Sequence, residues 1–236
     1  MNGFISILAI VAMLLAAGGA IALVRRGGVD WRWLLAAAGF VLLNDALLTR
    51  GYGLLPQLLP AGDWNWQGKI LALAATLAVA AVVGRKAAGL TLVQARGSLK
   101  AALPVARLYV GLFLALALVF PNEKVSAETL AFQLTMPGLE EELFYRGVLL
   151  LVLDRAFGTP WKLGGITFGW GAILSCALFG LAHAFGYGKD GFAFDTLTMA
   201  LTALPSLIAV WLRLRTGSVL APVLLHNFGN AVMLVV

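Results

Sequence analysis

Both histidines of this sequence lie in apolar stretches, each one helical turn from a second polar or aromatic residue. The chain has 2 histidines in all. One ends the pattern Phe179-x-x-x-His183, and the other begins the pattern His226-x-x-x-Asn230. Side chains four positions apart share one face of a helix, so each pair can present its groups together. A histidine within a membrane span can serve as an interhelical hydrogen bond, but polar groups there also mark functional sites.

A run of three acidic residues forms the third polar cluster, and an apolar stretch follows it directly. Glu140, Glu141 and Glu142 are consecutive, and Arg146 lies four positions after the last of them. On an α-helix Glu142 and Arg146 can pair, whereas Glu141 and Glu142 point about 100° apart and would serve different directions. Alone, the cluster could be an acidic helix start; together with two intramembrane histidines it favours a shared site.

A glutamate, two histidines and an asparagine together suggest hydrolysis of a peptide bond. A carboxylate in an apolar cavity can take a proton from a water that attacks the peptide carbonyl. One histidine can share that water or protonate the leaving amine. The other histidine and the asparagine can donate hydrogen bonds to the oxyanion that develops.

The composition predicts that these clusters lie within membrane helices. Hydrophobic residues make up 61% of the chain and charged residues 12%, and the mean hydropathy is +0.93. About eight apolar stretches approach the roughly 20 residues that cross a bilayer as a helix, which satisfies its own backbone hydrogen bonds. We therefore predict an all-α polytopic bundle with an intramembrane polar cavity. The predicted spans are 3–24, 33–48, 69–83, 102–120, 128–153, 165–185, 194–212 and 219–236.

Little sequence remains for a separate soluble domain, so residues 1–236 are interpreted as a single integral membrane domain. Its motif-bearing core would be about 121–236, with accessory helices in 1–120. Basic residues are concentrated on one side of the predicted topology, which places the N-terminus outside. This asymmetry accounts for the net charge of +6 without a nucleic-acid partner. The basic-rich side holds Arg25, Arg26, Arg32, Arg85, Lys86, Arg96, Lys100, Arg107, Arg155, Lys162, Arg213 and Arg215; the other side holds Arg50, Lys69, Lys124 and Lys189.

The three clusters resemble the motifs of a known family, in order and in approximate spacing. The motifs are Glu141-Glu142-x-x-x-Arg146, Phe179-x-x-x-His183 and His226-x-x-x-Asn230. They are similar to those of the CPBP family, the CAAX-protease and bacteriocin-processing type intramembrane proteases, which include the type II CAAX prenyl endopeptidase. The resemblance covers roughly residues 137–236, and the first hundred residues match only as membrane spans.

The resemblance implies an α-helical intramembrane endopeptidase that cleaves near the C-terminus of a membrane-associated protein or peptide. Matched motif by motif, Glu141 would activate water with help from His183. His226 and Asn230 would form the oxyanion hole. No cofactor is expected in this interpretation, and the partners would be the lipid bilayer and a substrate that could be lipidated.

Four further residues are expected to support this site. Glu142 and Arg146 would orient the first motif, and Phe179 belongs to the second. Glu140 allows the double glutamate to be placed one residue earlier, but the fixed spacing to Arg146 selects Glu141 and Glu142.

The expected location is a bacterial or archaeal cell membrane. The distribution of basic residues places Glu141 and His183 toward the outer side, whereas CAAX enzymes act on cytosol-facing tails. An outward site would fit the trimming of exported precursors or sorting tails.

Three alternatives remain at this point. Glu141, His183 and His226 could hold a catalytic zinc ion with an open position for water, although the sequence has no His-Glu-x-x-His motif. A rhomboid serine protease shares some local patterns, but its motif order is reversed and no Gly-x-Ser-Gly nucleophile is present. A non-catalytic transporter, immunity or scaffold protein could use the same residues structurally, with Asn44 and Asp45 in a polar path.

Overall fold

The computed structural model describes residues 2–25, 28–120 and 125–236. Helices and two short hairpins make up the described parts, and one stretch, called here the π segment, is a π-helix. In chain order the elements are α1 (Asn2–Val24), α2 (Trp31–Leu48), α3 (Trp66–Val83), α4 (Ser98–Val119), α5 (Ala127–Gln133), the π segment (Gly138–Leu149), α6 (Leu150–Phe157), β1 (Trp161–Leu163), β2 (Ile166–Phe168), α7 (Trp170–Ala184), β3 (Phe185–Gly188), β4 (Gly191–Phe194), α8 (Thr196–Thr216) and α9 (Leu220–Val235).

The prediction of an all-α membrane bundle is confirmed, but the count of eight spans is not. Among the described residues, α1, α2, α3, α4 and α8 are long and apolar enough to cross a membrane. Helices α7 and α9 are apolar but have 15 and 16 residues, short of the roughly 20 that span a bilayer. The predicted span 128–153 is divided into α5, the π segment and the start of α6.

Two antiparallel hairpins replace residues that were predicted to be helical or left as loops. Strands β1 and β2 meet at Gly164 and Gly165, whose positive φ angles of 60° and 75° suit a two-residue hairpin turn. Strands β3 and β4 follow α7 directly and turn at Lys189 and Asp190. The backbone N–H of Tyr187 in β3 donates to Ser6 Oγ of α1 at 2.8 Å, so this second hairpin is joined to the first helix.

The π segment packs closely against its neighbours because glycines stand at the contacts. A Cβ at Gly138 would lie 2.6 Å from the Val223 carbonyl oxygen and 2.5 Å from Asn227 Oδ1 of α9. A Cβ at Gly147 would lie 3.3 Å from the Ala88 carbonyl oxygen. The Gly138 N–H also donates to Asn227 Oδ1 at 2.7 Å. Widened π turns are frequent at functional sites, and this one carries the three glutamates.

The end of the bundle that is rich in basic residues is joined by main-chain and side-chain hydrogen bonds. Arg213, in the last turn of α8, is buried and donates to the Ala87 carbonyl at 2.6 Å. The Val219 N–H donates to the Gly89 carbonyl at 3.0 Å. The connection from α3 to α4 is thereby fixed to the turn between α8 and α9. Of the predicted features, Arg26, Pro121 and Lys124 lie outside the described residues, as does the boundary at 121.

Candidate active site

A cavity of about 620 Å³ lies among α3, α4, the π segment, α7, α8 and α9. All four predicted catalytic residues line it, as do three of the supporting ones. Its walls are otherwise mostly apolar and aromatic. The predicted site residues in the lining are Glu141, Glu142, Arg146, Phe179, His183, His226 and Asn230.

Glu141 reaches both histidines through one carboxylate oxygen. Its Oε2 lies 3.6 Å from His226 Nε2 and 3.9 Å from His183 Nε2. This oxygen is buried and has no hydrogen-bond partner among the described residues. Buried acceptors are normally satisfied, so Oε2 is the atom of this side chain that is free to bind a small polar molecule beside the two imidazoles.

Glu142 contacts His226 from the other side of the ring. Its Oε1 lies 2.7 Å from His226 Nδ1, and its Oε2 lies 3.2 Å from Arg146 Nε. The predicted pair of Glu142 and Arg146 is therefore present. Glu141 and Glu142 were predicted to serve different directions, and they reach opposite sides of one imidazole: Glu141 lies at Nε2 and Glu142 at Nδ1. The backbone that carries them is a π-helix rather than the α-helix that the spacing predicted.

His226 is held in a defined hydrogen-bonding state by this arrangement. A carboxylate oxygen can only accept, so the contact with Glu142 requires a proton on Nδ1. If the ring is to donate from Nε2 as well, it must be the imidazolium cation. The side chain of His226 is 15% exposed, so solvent screens these contacts little.

His183 is the more open of the two histidines. Its Nδ1 lies 2.8 Å from the Phe179 carbonyl oxygen, which can only accept, so Nδ1 carries the proton and Nε2 presents its lone pair to the cavity in the neutral ring. The two rings of Phe179 and His183 have centroids 4.6 Å apart. Phe179 also lies over the guanidinium of Arg146, with Cζ 4.1 Å from the ring centre. The aromatic residue thus orients both neighbours.

Asn230 lies one turn after His226 on α9 and faces the same cavity. Its Nδ2 donates to Gln133 Oε1 of α5 at 3.0 Å. An amide nitrogen carries a second proton, which leaves a donor for another acceptor. Sequence reasoning did not identify Gln133 or Tyr109, whose ring also lines the cavity, because neither belongs to a recognisable spacing.

Lys69 is the main residue that sequence reasoning did not assign to the site. It was counted only among the basic residues of the outer side, and its Nζ lies 2.7 Å from Glu140 Oε2 and 2.6 Å from Glu141 Oε1. Its side chain is 14% exposed. Glu140, predicted as a supporting residue, does not line the cavity; it is fully buried behind it. A single lysine at the start of an apolar helix, in a chain with three consecutive buried glutamates, was the available signal.

The three candidate zinc ligands lie close together but are not arranged as a metal site. Glu141, His183 and His226 do bring one oxygen and two nitrogens near each other. Over the described ranges, however, no group of three His, Cys, Asp or Glu residues is arranged to hold a metal ion. The ammonium group of Lys69 also occupies the other oxygen of Glu141, and a nearby cation opposes the binding of a second one.

Comparison with known proteins agrees with the motifs. Residues 124–232 match the family model described as type II CAAX prenyl endopeptidase Rce1-like. The resemblance predicted from the motifs is confirmed over these residues. No curated protein and no solved structure matches the chain.

Similarity to this family over residues 124–232 indicates a peptidase. The apolar helices described above place it in a membrane, so the coarse function is that of a CAAX-type intramembrane endopeptidase. All the residues of the three motifs lie within the matched range. Lys69 lies outside it.

Proposed function

We propose that this endopeptidase hydrolyses its substrate with a water activated by Glu141 and His183, without a metal ion. The observation that carries the proposal is the free, buried Oε2 of Glu141, which faces the Nε2 atoms of both histidines. A water bound to Oε2 would be within reach of His183 Nε2, which presents a lone pair. Two bases on one water favour its deprotonation at the moment of attack.

The attack creates a negative charge on the carbonyl oxygen of the substrate, and two donors are available for it. His226 can donate from Nε2 when both ring nitrogens carry protons, while Glu142 accepts from Nδ1. Asn230 can donate with the amide proton that Gln133 does not use. Donors fixed before the reaction stabilise a developing oxyanion strongly. Collapse of the tetrahedral intermediate then breaks the C–N bond, and His183 can return the proton to the leaving amine.

The proposed substrate is a membrane-associated protein or peptide, cleaved near its C-terminus, with or without a lipid. The apolar lining of the cavity supports this class. Leu201, Pro205 and Ala209 of α8 and Leu225 and Met233 of α9 form much of the wall. A hydrophobic segment or lipid chain would bury apolar area there, while its scissile bond would lie at the polar floor.

The proposal is tested by comparing membrane proteomes of cells that express the wild type and the Glu141→Gln variant. We expect C-terminally shortened peptides that appear only with the wild type. Purified wild-type protein in liposomes should then cleave a synthetic peptide that spans the site so identified. Asp190→Asn is the matched control, because it removes one exposed acid from the β3–β4 turn and should cleave as the wild type does.

Two results would contradict the proposal. Cleavage by a folded, membrane-inserted Glu141→Gln variant at the wild-type rate would remove Glu141 from the mechanism. Ion-gradient-dependent uptake by liposomes, with no peptide cleaved by the wild type, would favour the transporter alternative.

A further inference from the structure

The matched family segment does not contain all the charges of its own site. Three glutamates of the π segment lie at or behind the cavity, and the side chains of Glu140 and Glu142 are 0% and 2% exposed. Arg146 is the one cation within the π segment, and it pairs with Glu142. The remaining two carboxylates are paired with a cation from α3, which precedes the matched range.

Lys69 is placed by a rigid helix start. Asn65 caps α3 by accepting from the Gly68 N–H at 3.0 Å, and its Nδ2 donates to the Leu48 carbonyl at 2.7 Å. Gln67 accepts from the backbone of the preceding loop at 2.6 Å. A Cβ at Gly68 would lie 2.3 Å from the Leu48 carbonyl oxygen, so α3 and the end of α2 approach as closely as the backbone allows. The backbone from which the Lys69 side chain extends is therefore held in one position.

Lys69 gives the two carboxylate oxygens of Glu141 different roles: one binds the lysine and the other faces the histidines. Its Nζ binds Oε1 at 2.6 Å, and Oε2 is left facing the histidines. A carboxylate held at one oxygen by a charge-assisted hydrogen bond has little freedom to rotate. Glu140 holds the lysine itself, at 2.7 Å, and interacts with Asn44 of α2. The side chains thus form a chain from α2 through Glu140 and Lys69 to Glu141.

We propose that Lys69 is a positioning residue for the catalytic carboxylate, and that α3 is therefore a part of the active site. This inference rests on the proposed role of Glu141. It adds that the orientation of Glu141 toward its water is set by a residue outside the family segment. Glu140 acts as the second anchor of Lys69, which explains why a third, cavity-remote glutamate is buried beside the two motif glutamates.

The first test is kinetic and uses the whole chain in liposomes with the peptide identified above. Lys69→Met should lower kcat by about 10- to 100-fold, because a small misplacement of a reacting group costs rate on this scale, and should leave KM within about 3-fold of the wild type. Lys69→Arg should recover most of the rate, since a guanidinium can donate to two carboxylates at once. Lys189→Met, which removes a cation from the exposed β3–β4 turn, is the matched control and should change neither constant.

The second test needs no substrate. The chain has 2 histidines, so protein labelled with ¹⁵N-histidine and freed of any affinity tag gives the ring signals of His183 and His226 alone. Because Glu141 Oε2 lies within 3.9 Å of both Nε2 atoms, its displacement in Lys69→Met should shift the Nε2 signals of both rings. Lys69→Arg should return them toward the wild-type positions, and Lys189→Met should leave them in place.

These outcomes separate the inference from the proposed function. Unchanged ring signals, an unchanged kcat or a raised kcat in folded Lys69→Met would overturn the positioning role. Shifted signals in a protein whose wild type cleaves no peptide would support the role of Lys69 and reject the proposed function. If Lys69→Met does not fold, Glu140→Gln gives the same decision, because it loosens Lys69 and should shift the ring signals in the same direction by less.

Discussion

The π segment and α3 pack directly against each other beside the cavity, yet they are built in opposite ways. The π segment has an irregular backbone and carries three glutamates and an arginine, of which only Glu141 is more than marginally exposed. Helix α3 is a regular apolar helix whose only charged residue is Lys69. The segment that carries the acids could not bury them all by itself, because an isolated buried charge is costly. Helix α3 supplies the positive charge that pairs with two of these acids. Because α3 carries no motif, a search for motifs does not find it.

The largest effect is expected where the two regions meet, at Glu141. Glu141→Ala and His183→Ala should each abolish cleavage, because they remove one of the two groups that activate the water. Both variants should remain folded, which an unchanged elution volume in detergent would establish. Glu141 lines the cavity, and Glu140 remains as a partner of Lys69 when Glu141 is replaced. A variant that unfolds would therefore mean that the contact between Glu141 and Lys69 is mainly structural.

Breaking the charge pair inside the π segment should affect stability more than any surface change. Arg146→Met leaves Glu142 buried without its partner, and we expect a loss of about 3–5 kcal/mol in the free energy of unfolding. Denaturant unfolding in detergent measures it. Arg32→Met, which removes an exposed arginine at the start of α2, should change the same quantity by less than about 0.5 kcal/mol. Equal effects of the two variants would contradict the importance of the buried pair.

The oxyanion donors should contribute less than the water-activating pair. Asn230→Ala should lower kcat by about 10²-fold or more, the usual loss for one preformed donor. Gln57→Ala, an exposed amide in the loop before α3, is its control. A wild-type kcat for Asn230→Ala would remove the residue from the proposed oxyanion hole, even if Glu141 proves essential.

The close approach of the π segment to α9 can be tested with a single methyl group. Gly138→Ala would place a Cβ 2.6 Å from the Val223 carbonyl oxygen, and overpacking of this kind costs about 1–3 kcal/mol. Gly39→Ala in α2 meets no atom within 4 Å and should be neutral or slightly stabilising. Unfolding measurements on the two variants give the difference, and no difference between them would contradict the tight contact.

The smallest expected effect is that of metal removal. Chelator treatment of the purified protein should leave the cleavage rate unchanged, and elemental analysis should find less than one zinc ion per chain. A rate that falls with chelation and returns with added zinc would support the alternative in which Glu141, His183 and His226 are ligands.

Hydropathy predicted the long helices well because a helix that crosses the bilayer needs a long run of apolar residues, which is visible in the sequence. The bounds of α1, α3 and α8 lie within a few residues of the predicted spans at their N-terminal ends. The prediction of one continuous span over 128–153 was wrong, because the average hydropathy of a stretch does not reveal the break before Pro137 or the change to a π-helix. The hairpins were missed since each strand has only 3 or 4 residues, too few for a periodic pattern.

The candidate site was predicted at the level of residues but not of contacts. Spacing of four identified Glu142 with Arg146 and placed each histidine beside its partner. It could not show that two adjacent glutamates would contact opposite nitrogens of one ring, because that depends on how α9 packs against the π segment. Lys69 was missed for a different reason: one cation near a helix start is ordinary in membrane proteins, and only its neighbours in space make it notable.

The hydrogen bond between Ser6 and Tyr187 links residues 181 positions apart. The hairpin that follows His183 therefore gains this support only after α1 has met a segment that is synthesised much later. Shortening α1 should accordingly disturb the β3–β4 hairpin, during biogenesis as well as in the folded protein.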